Sequence, residues 1–167
     1  MTTEKNTRRK ILLILVIVCA CVGCDQATKA IAKQYLAATP PIYALGGTVV
    51  LHYTENQGSF LGLGARLPET VRFWVFVVFA GLMVAVMLAF VLTTRELNTA
   101  GIAGAALVIG GGAGNLLDRI YHNGAVVDFL NIGIGNIRTG IFNLADVAIM
   151  VGIGLLILAM ARQKETL

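Results

Sequence analysis

Long uncharged stretches dominate the hydropathy pattern of this chain. Phe73–Leu92 runs 20 residues without a charge, Leu97–Leu117 runs 21, and Val147–Ala161 runs 15. The last reaches about 20 if its polar start at Phe142 is included, and a spanning helix needs roughly 20 mostly apolar residues. An earlier run, Ile11–Cys24, has only 14 residues before Asp25. It reaches spanning length by taking in Asp25 to Ala32, whose apolar members are Ala27, Ala30, Ile31 and Ala32. The pattern predicts four transmembrane helices, over about 11–32, 71–93, 97–118 and 142–161.

Two longer connections break this pattern. In the segment 40–66, Thr48–Thr54 is β-branched and aromatic and reads as strand. Glu55–Ser59 is turn chemistry, and Phe60–Gly64 is apolar and flexible. The connection 119–141 reads as a loop. The expected fold is an all-α integral membrane protein of one membrane-embedded domain. Its four transmembrane helices carry a small extracytoplasmic β-sheet and loop on the outer membrane face.

Composition agrees. The chain is 57% hydrophobic and 13% charged, whereas soluble domains run nearer 45–50% and about 25%. Lys and Arg near the helix ends set the orientation. Seven (Lys5, Arg8, Arg9, Lys10, Arg95, Arg162, Lys164) fall in very short segments on one side. Six (Lys29, Lys33, Arg66, Arg72, Arg119, Arg138) spread over the two longer connections. Density puts both termini in the cytoplasm and the longer connections outside. The net charge of +4 then reflects anchoring beside anionic membrane lipids and calls for no nucleic acid. Cys19, Cys21 and Cys24 sit where adjacent helix positions do not face each other, and read as small helix residues. His52 and His122 have no partners at zinc-ligand spacing.

The four aspartates, Asp25, Asp118, Asp128 and Asp146, all fall on the expected outer side, at or beside helix ends. Ionisable groups at membrane depth are costly, and they pair or do chemistry. Three have structural alternatives. Asp146 fits the first turn of a helix capped by Asn143. Asp118 fits an ion pair with Arg119, with Asn115 one turn earlier. Asp25 and Lys29 are an i,i+4 pair in the favourable order. Asp128 lies in the apolar run Ala125–Leu130 with no opposite charge nearby, so its pKa should rise. A perturbed carboxylate near a second one is a site candidate, since two close carboxylates share a proton and activate water. The glycines of Ile109–Gly114 sit inside an apolar helix and read as close-packing residues, not a phosphate loop. Two other classes compete with a peptidase. A transporter or scaffold would not need Asp128 and Asp146 as a pair, and a metal-dependent lipid transferase would place its aspartates on one helix.

In order along the chain stand Asp25-Gln26-Ala27-Thr28-Lys29, Asn56 with Gly58, Gly110-Gly111 through Gly114-Asn115-Leu116-Leu117-Asp118-Arg119, Val126-Val127-Asp128-Phe129 and Phe142-Asn143-Leu144-Ala145-Asp146. With these motifs on four spans, the chain resembles bacterial lipoprotein signal peptidase, signal peptidase II, over roughly residues 10 to 160. The resemblance implies an aspartic endopeptidase of the bacterial inner membrane that needs neither metal nor cofactor. The implied substrates are diacylglyceryl-modified prolipoproteins, cut just before the lipidated cysteine. It implies Asp128 and Asp146 as the catalytic pair. It implies Asp25, Lys29, Asn56, Gly58, Asn115, Asp118, Arg119 and Asn143 as residues that line or support the site. All the motifs fit one chain, so a monomer suffices. Arg8–Gln26 itself looks like a lipoprotein signal. Cleavage before Cys24 would sever the first helix from Asp25, so the expectation is that it stays attached and unlipidated.

Overall fold

The structure, a computed structural model, describes residues 2–58, 63–94 and 96–164. Ser59 to Gly62 of the expected turn and apolar segment, and Arg95 of the expected basic set, lie outside the described residues.

Among the described residues, four helices are long and apolar enough to cross a membrane. Helix α1 spans Thr2–Leu36. It overruns the expected 11–32 at both ends because nothing in the sequence breaks it until Thr39-Pro40-Pro41. Helix α2, Glu69–Thr93, starts directly after Pro68 and has wider, π-type turns over Phe73–Phe79. Helix α3, Thr99–Tyr121, starts at Asn98, whose side chain accepts from the Gly101 N–H at 2.9 Å. Helix α4 spans Leu144–Lys164. Its start lies two residues after the expected 142, because Phe142 is held in a bridge to Leu130.

Helix α3 is central. It packs against α1, α2 and α4, and 44% of its apolar window is buried, against 6–17% in the other three helices. Small residues permit this. A Cβ added to Gly104 would lie 2.7 Å from the Gly152 carbonyl oxygen, and one on Gly152 would lie 2.6 Å from that of Gly104. The α3–α4 crossing is therefore a backbone-to-backbone contact. Ile14, Val91, Ala105, Ala106 and Ile109 form the buried centre of the bundle. At the other end from the sheet, the Lys10 ammonium donates to the Thr94 carbonyl at 2.7 Å, tying α1 to the end of α2.

The sheet is larger than the sequence pattern suggests. Strands β1 (Ile42–Ala44), β2 (Val49–Asn56), β3 (Val126–Ile134) and β4 (Ile137–Arg138) form an antiparallel sheet in chain order. The connection expected as a loop over 119–141 supplies half of its strands, and Asp128 is a strand residue. Val126–Phe129 is buried on both faces, so it shows no period-2 alternation. One face packs on the end of α1, where Ala32, Leu36 and Phe129 form a second small core. Register shifts once. Leu51 lies opposite Leu130, but Thr54, three residues on, lies opposite Asp128, only two residues back. The extra β2 residue is a bulge. A one-residue slip exchanges the two faces of a strand. The bulge therefore turns Thr54 and Asn56 to the face that carries Asp128.

Candidate active site

All ten residues singled out in the sequence meet at the sheet end of the bundle, in one connected hydrogen-bonded network. Two carboxylates form its centre. Asp128 comes from β3, and its two oxygens accept from different amides: Oδ2 from Asn56 Nδ2 at 3.0 Å and Oδ1 from Asn143 Nδ2 at 2.7 Å. Asp146 comes from the first turn of α4. Its Oδ1 accepts from Asn115 Nδ2 at 2.9 Å and its Oδ2 from the Asn143 backbone N–H at 3.2 Å. Asn143 Oδ1 in turn accepts from the Asp146 N–H at 3.0 Å. This reciprocal pair is a capping box with Asp in place of Glu, so the helix-start reading of Asp146 and Asn143 is correct as local structure. Asn143 also reaches Asp128 from the same position, and thus touches both carboxylates. Burial is the first reason the Asp128 carboxyl is pushed up to about 6. The Asn56 hydrogen bond opposes the shift, nearby Asp146 adds to it, and the Asn143 hydrogen bond opposes it.

Behind this pair lies a buried charge cluster. The Lys29 ammonium contacts Asp25 Oδ2 at 2.7 Å, Asp118 Oδ2 at 2.9 Å and Asn115 Oδ1 at 3.0 Å. Asp25, Lys29 and Asp118 are 1–3% exposed, so water does not screen these charges. The expected Asp25–Lys29 pair forms, and Asp118 joins it. The other expected pair, Asp118 with Arg119, does not form. Adjacent helix residues point about 100° apart, and Arg119 turns the other way. Arg119 lies over the Phe76 ring, 5.5 Å from its centroid, and Nη2 donates to the Gly58 carbonyl at 3.1 Å. The Gly58 N–H donates to Asn56 Oδ1 at 3.0 Å, so Arg119, Gly58 and Asn56 form a relay ending on Asp128.

The cluster reaches the carboxylate pair through backbone. Asp25 Oδ1 accepts from the Ala145 N–H at 3.0 Å, and Asp118 Oδ2 from the Val127 N–H at 2.9 Å. Ala145 and Val127 immediately precede Asp146 and Asp128. Each member of the pair is therefore held one residue upstream by a buried carboxylate, and Lys29 links the two holds. Gln26, quoted in the motif but not assigned a role, donates to Asp118 Oδ1 at 2.8 Å and to the Gly114 carbonyl at 3.3 Å. Its place beside Asp25 was the available signal. The Ala145 and Val127 amides carry none, because any residue type but proline supplies an N–H. The glycines of α3 act as packing residues. A Cβ on Gly114 would sit 2.7 Å from Asp25 Oδ2, and one on Gly110 would sit 2.7 Å from Cys21 Cβ.

Comparison with known proteins was consistent. Residues 17–162 match the family model described as signal peptidase (SPase) II. A lipoprotein signal peptidase of Treponema denticola is 32% identical, the match covering 96% of this chain and 97% of that protein. One from Oleidesulfovibrio alaskensis is 34% identical over 94% and 99%, and one from Shigella boydii is 38% identical over 70% and 73%. A solved bacterial membrane enzyme shares the fold with a TM-score of 0.75 at 24% identity, covering 95% of this chain and 90% of that one. Four helices able to span and this neighbour make the chain a multi-pass membrane protein.

Proposed function

The chain belongs to the signal peptidase II family, and from that premise we propose that it is a metal-independent aspartic endopeptidase. It removes signal peptides from diacylglyceryl-modified prolipoproteins, cutting just before the lipidated cysteine. The observation that carries this reading is the Asp128–Asp146 pair, bridged by Asn143.

Asp128 is the partner that holds the proton, because its burial opposes the charge. Asp146, half-buried in the first turn of α4, is the base. A water between them attacks the scissile carbonyl carbon and loses its proton to Asp146, while Asp128 protonates the carbonyl oxygen. On collapse the C–N bond breaks, Asp146 returns the proton to the leaving amine, and the carbonyl oxygen returns its own to Asp128. The products are the signal peptide's new carboxyl end and the free amino group of the lipidated cysteine. Asn115, Asn143 and Asn56 fix the carboxylates. Asp25, Lys29 and Asp118 fix the backbone that carries them, and Arg119 and Gly58 hold Asn56.

The extended substrate has a place to lie. β1 pairs with β2 only from Val49 to Leu51, so among the described residues β2 has no strand beyond it from His52 to Glu55, and Thr54 in this stretch lies opposite Asp128. An extended peptide can add to such an edge. The signal helix enters laterally among α2, α3 and α4. The enzyme works as a monomer in the bacterial inner membrane, with its termini cytoplasmic and its sheet outside.

The test is cleavage of a diacylglyceryl-modified prolipoprotein by purified protein, with and without EDTA. Cleavage should survive EDTA. Asp128→Asn and Asp146→Asn should each lower kcat by at least about 1,000-fold with the thermal unfolding transition retained. Near wild-type turnover by either variant removes the dyad, and loss of activity in EDTA removes the metal-independent mechanism.

A further inference from the structure

A cavity of about 290 Å3 lies between the start of α2 and the end of α3, lined among others by Glu69, Arg72, Phe73, Val77, Arg119 and Ile120. Its chemistry is split. Two guanidinium groups and one carboxylate supply the polar part. Phe73 and Ile120, 53% and 58% exposed, form an apolar lip on helices whose outer surfaces face lipid.

Among the described residues, neither arginine has partners for all of its N–H groups. Arg72 donates from Nη1 to Gln57 Oε1 at 2.6 Å and to the Ala65 carbonyl at 3.1 Å. Its Nη2 and Nε have no partner among the described residues. Arg119 gives Nη2 to Gly58 and makes a long 3.4 Å contact from Nη1 to the Asn115 carbonyl. Its Nε is buried without a partner among the described residues. A guanidinium offers five N–H donors, and leaving the buried Arg119 Nε unpaired costs free energy. The cavity thus offers spare donors and asks for acceptors. Glu69 on its wall offsets one of the two positive charges and disfavours a phosphate. The fitting ligand is neutral, rich in carbonyl oxygens, and attached to hydrocarbon that leaves over the apolar lip. The volume lies at the small end of ligand sites, so it suits a head and not its tails. Arg119 also begins the relay through Gly58 and Asn56 to Asp128. The π-type turns of α2, which open a helix locally and mark functional positions, begin at Phe73 on the cavity wall.

We propose that this cavity receives the glyceryl diester of the substrate's lipidated cysteine. The ester carbonyls accept from Arg72 and Arg119, and the acyl chains leave past Phe73 and Ile120 into the bilayer. The substrate class rests on the function proposed above. The cavity would make the lipid a register mark that sets the scissile bond at the dyad.

Binding can be read without turnover. Trp74 is the single tryptophan. Its ring lies edge-on to Phe73 with centroids 6.2 Å apart, so its fluorescence reports on the cavity wall. Purified protein in a neutral detergent is titrated with a short-chain S-(2,3-diacyloxypropyl)cysteine amide, with its dialkyl ether analogue and with short-chain phosphatidylglycerol. The diester should bind about tenfold more tightly than the diether, which lacks the carbonyls. Arg72→Leu should abolish that difference, with Arg72→Lys as a second variant if the first does not fold. Equal binding of diester and diether, discrimination that persists in both variants, or displacement of the diester by phosphatidylglycerol at equal concentration would each overturn the proposal. The last result would make it a phospholipid headgroup site. Discriminating binding by a protein that cleaves no prolipoprotein sinks the peptidase reading and leaves the cavity intact. Cleavage that ignores the diester does the reverse.

Discussion

Asn143 has no exposed surface and makes the contacts that define the pair. Its amide donates to Asp128 and to Asn115 Oδ1, its Oδ1 caps α4, and its own N–H holds Asp146. Its residue type and spacing show a helix cap, and the family resemblance adds a supporting place at the site, but the reach to Asp128 crosses to a strand and is not local. Asp128 was legible for a different reason. A carboxylate in an apolar run is anomalous wherever the run folds. Its raised pKa has a measurable consequence for stability. The folded carboxyl titrates near 6, against an ordinary value of 3.8. As pH rises through that interval the unfolded chain releases this proton first, and keeping it on the folded chain becomes a growing cost. Asp128 therefore costs stability that is absent below about pH 4 and complete above about pH 6. Asp128→Asn copies the protonated acid and removes this dependence. The melting temperature of the variant relative to wild type should rise between pH 4 and 7 and then level off, as measured by thermal unfolding in detergent. Parallel curves would mean that Asp128 titrates normally.

At the scale of elements, α1 is a strut for the other two site-bearing segments. It meets α4 at the Ala145 amide through Asp25, and it meets α3 and β3 through Lys29 and Asp118. The i,i+4 spacing made Asp25–Lys29 visible in sequence. The third member, Asp118, reads in sequence as a pair with its neighbour Arg119, because only the packing of α1 against α3 brings it to Lys29. Removing the central cation leaves two buried carboxylates uncompensated. Lys29→Met should cost about 3–5 kcal/mol, read by thermal unfolding, and adding Asp25→Asn and Asp118→Asn should restore much of it. If Lys29→Met alone is neutral, the cluster is not the strut described here. The bulge in β2 is a second device at this scale. No residue between Leu51 and Thr54 announces it, yet without it Asn56 would turn away from Asp128.

For the whole molecule, the bilayer does the work that a thick hydrophobic core does in a soluble protein. The exposed faces of α1, α2 and α4 are apolar, and polar groups gather at one end of α3. The proposed orientation is open to a direct check. In a background lacking Cys19, Cys21 and Cys24, a cysteine at Asn136, in the β3–β4 turn, should react with an impermeant maleimide added to intact spheroplasts. One at Arg162 should react only after lysis, and the opposite pattern would invert the topology. The amino-acid pattern alone points to four long apolar helices, to a sheet at one end and to ten of the residues that meet there, but not to Gln26. It could do so because burial in lipid leaves long uncharged runs and makes each remaining charge conspicuous. It takes the folded chain to show that β3 and β4 complete the sheet, that Asp118 answers Lys29, and that the Val127 and Ala145 amides carry the holds on the pair. Those are contacts between segments up to 120 residues apart, made in part by backbone groups that every residue type but proline shares.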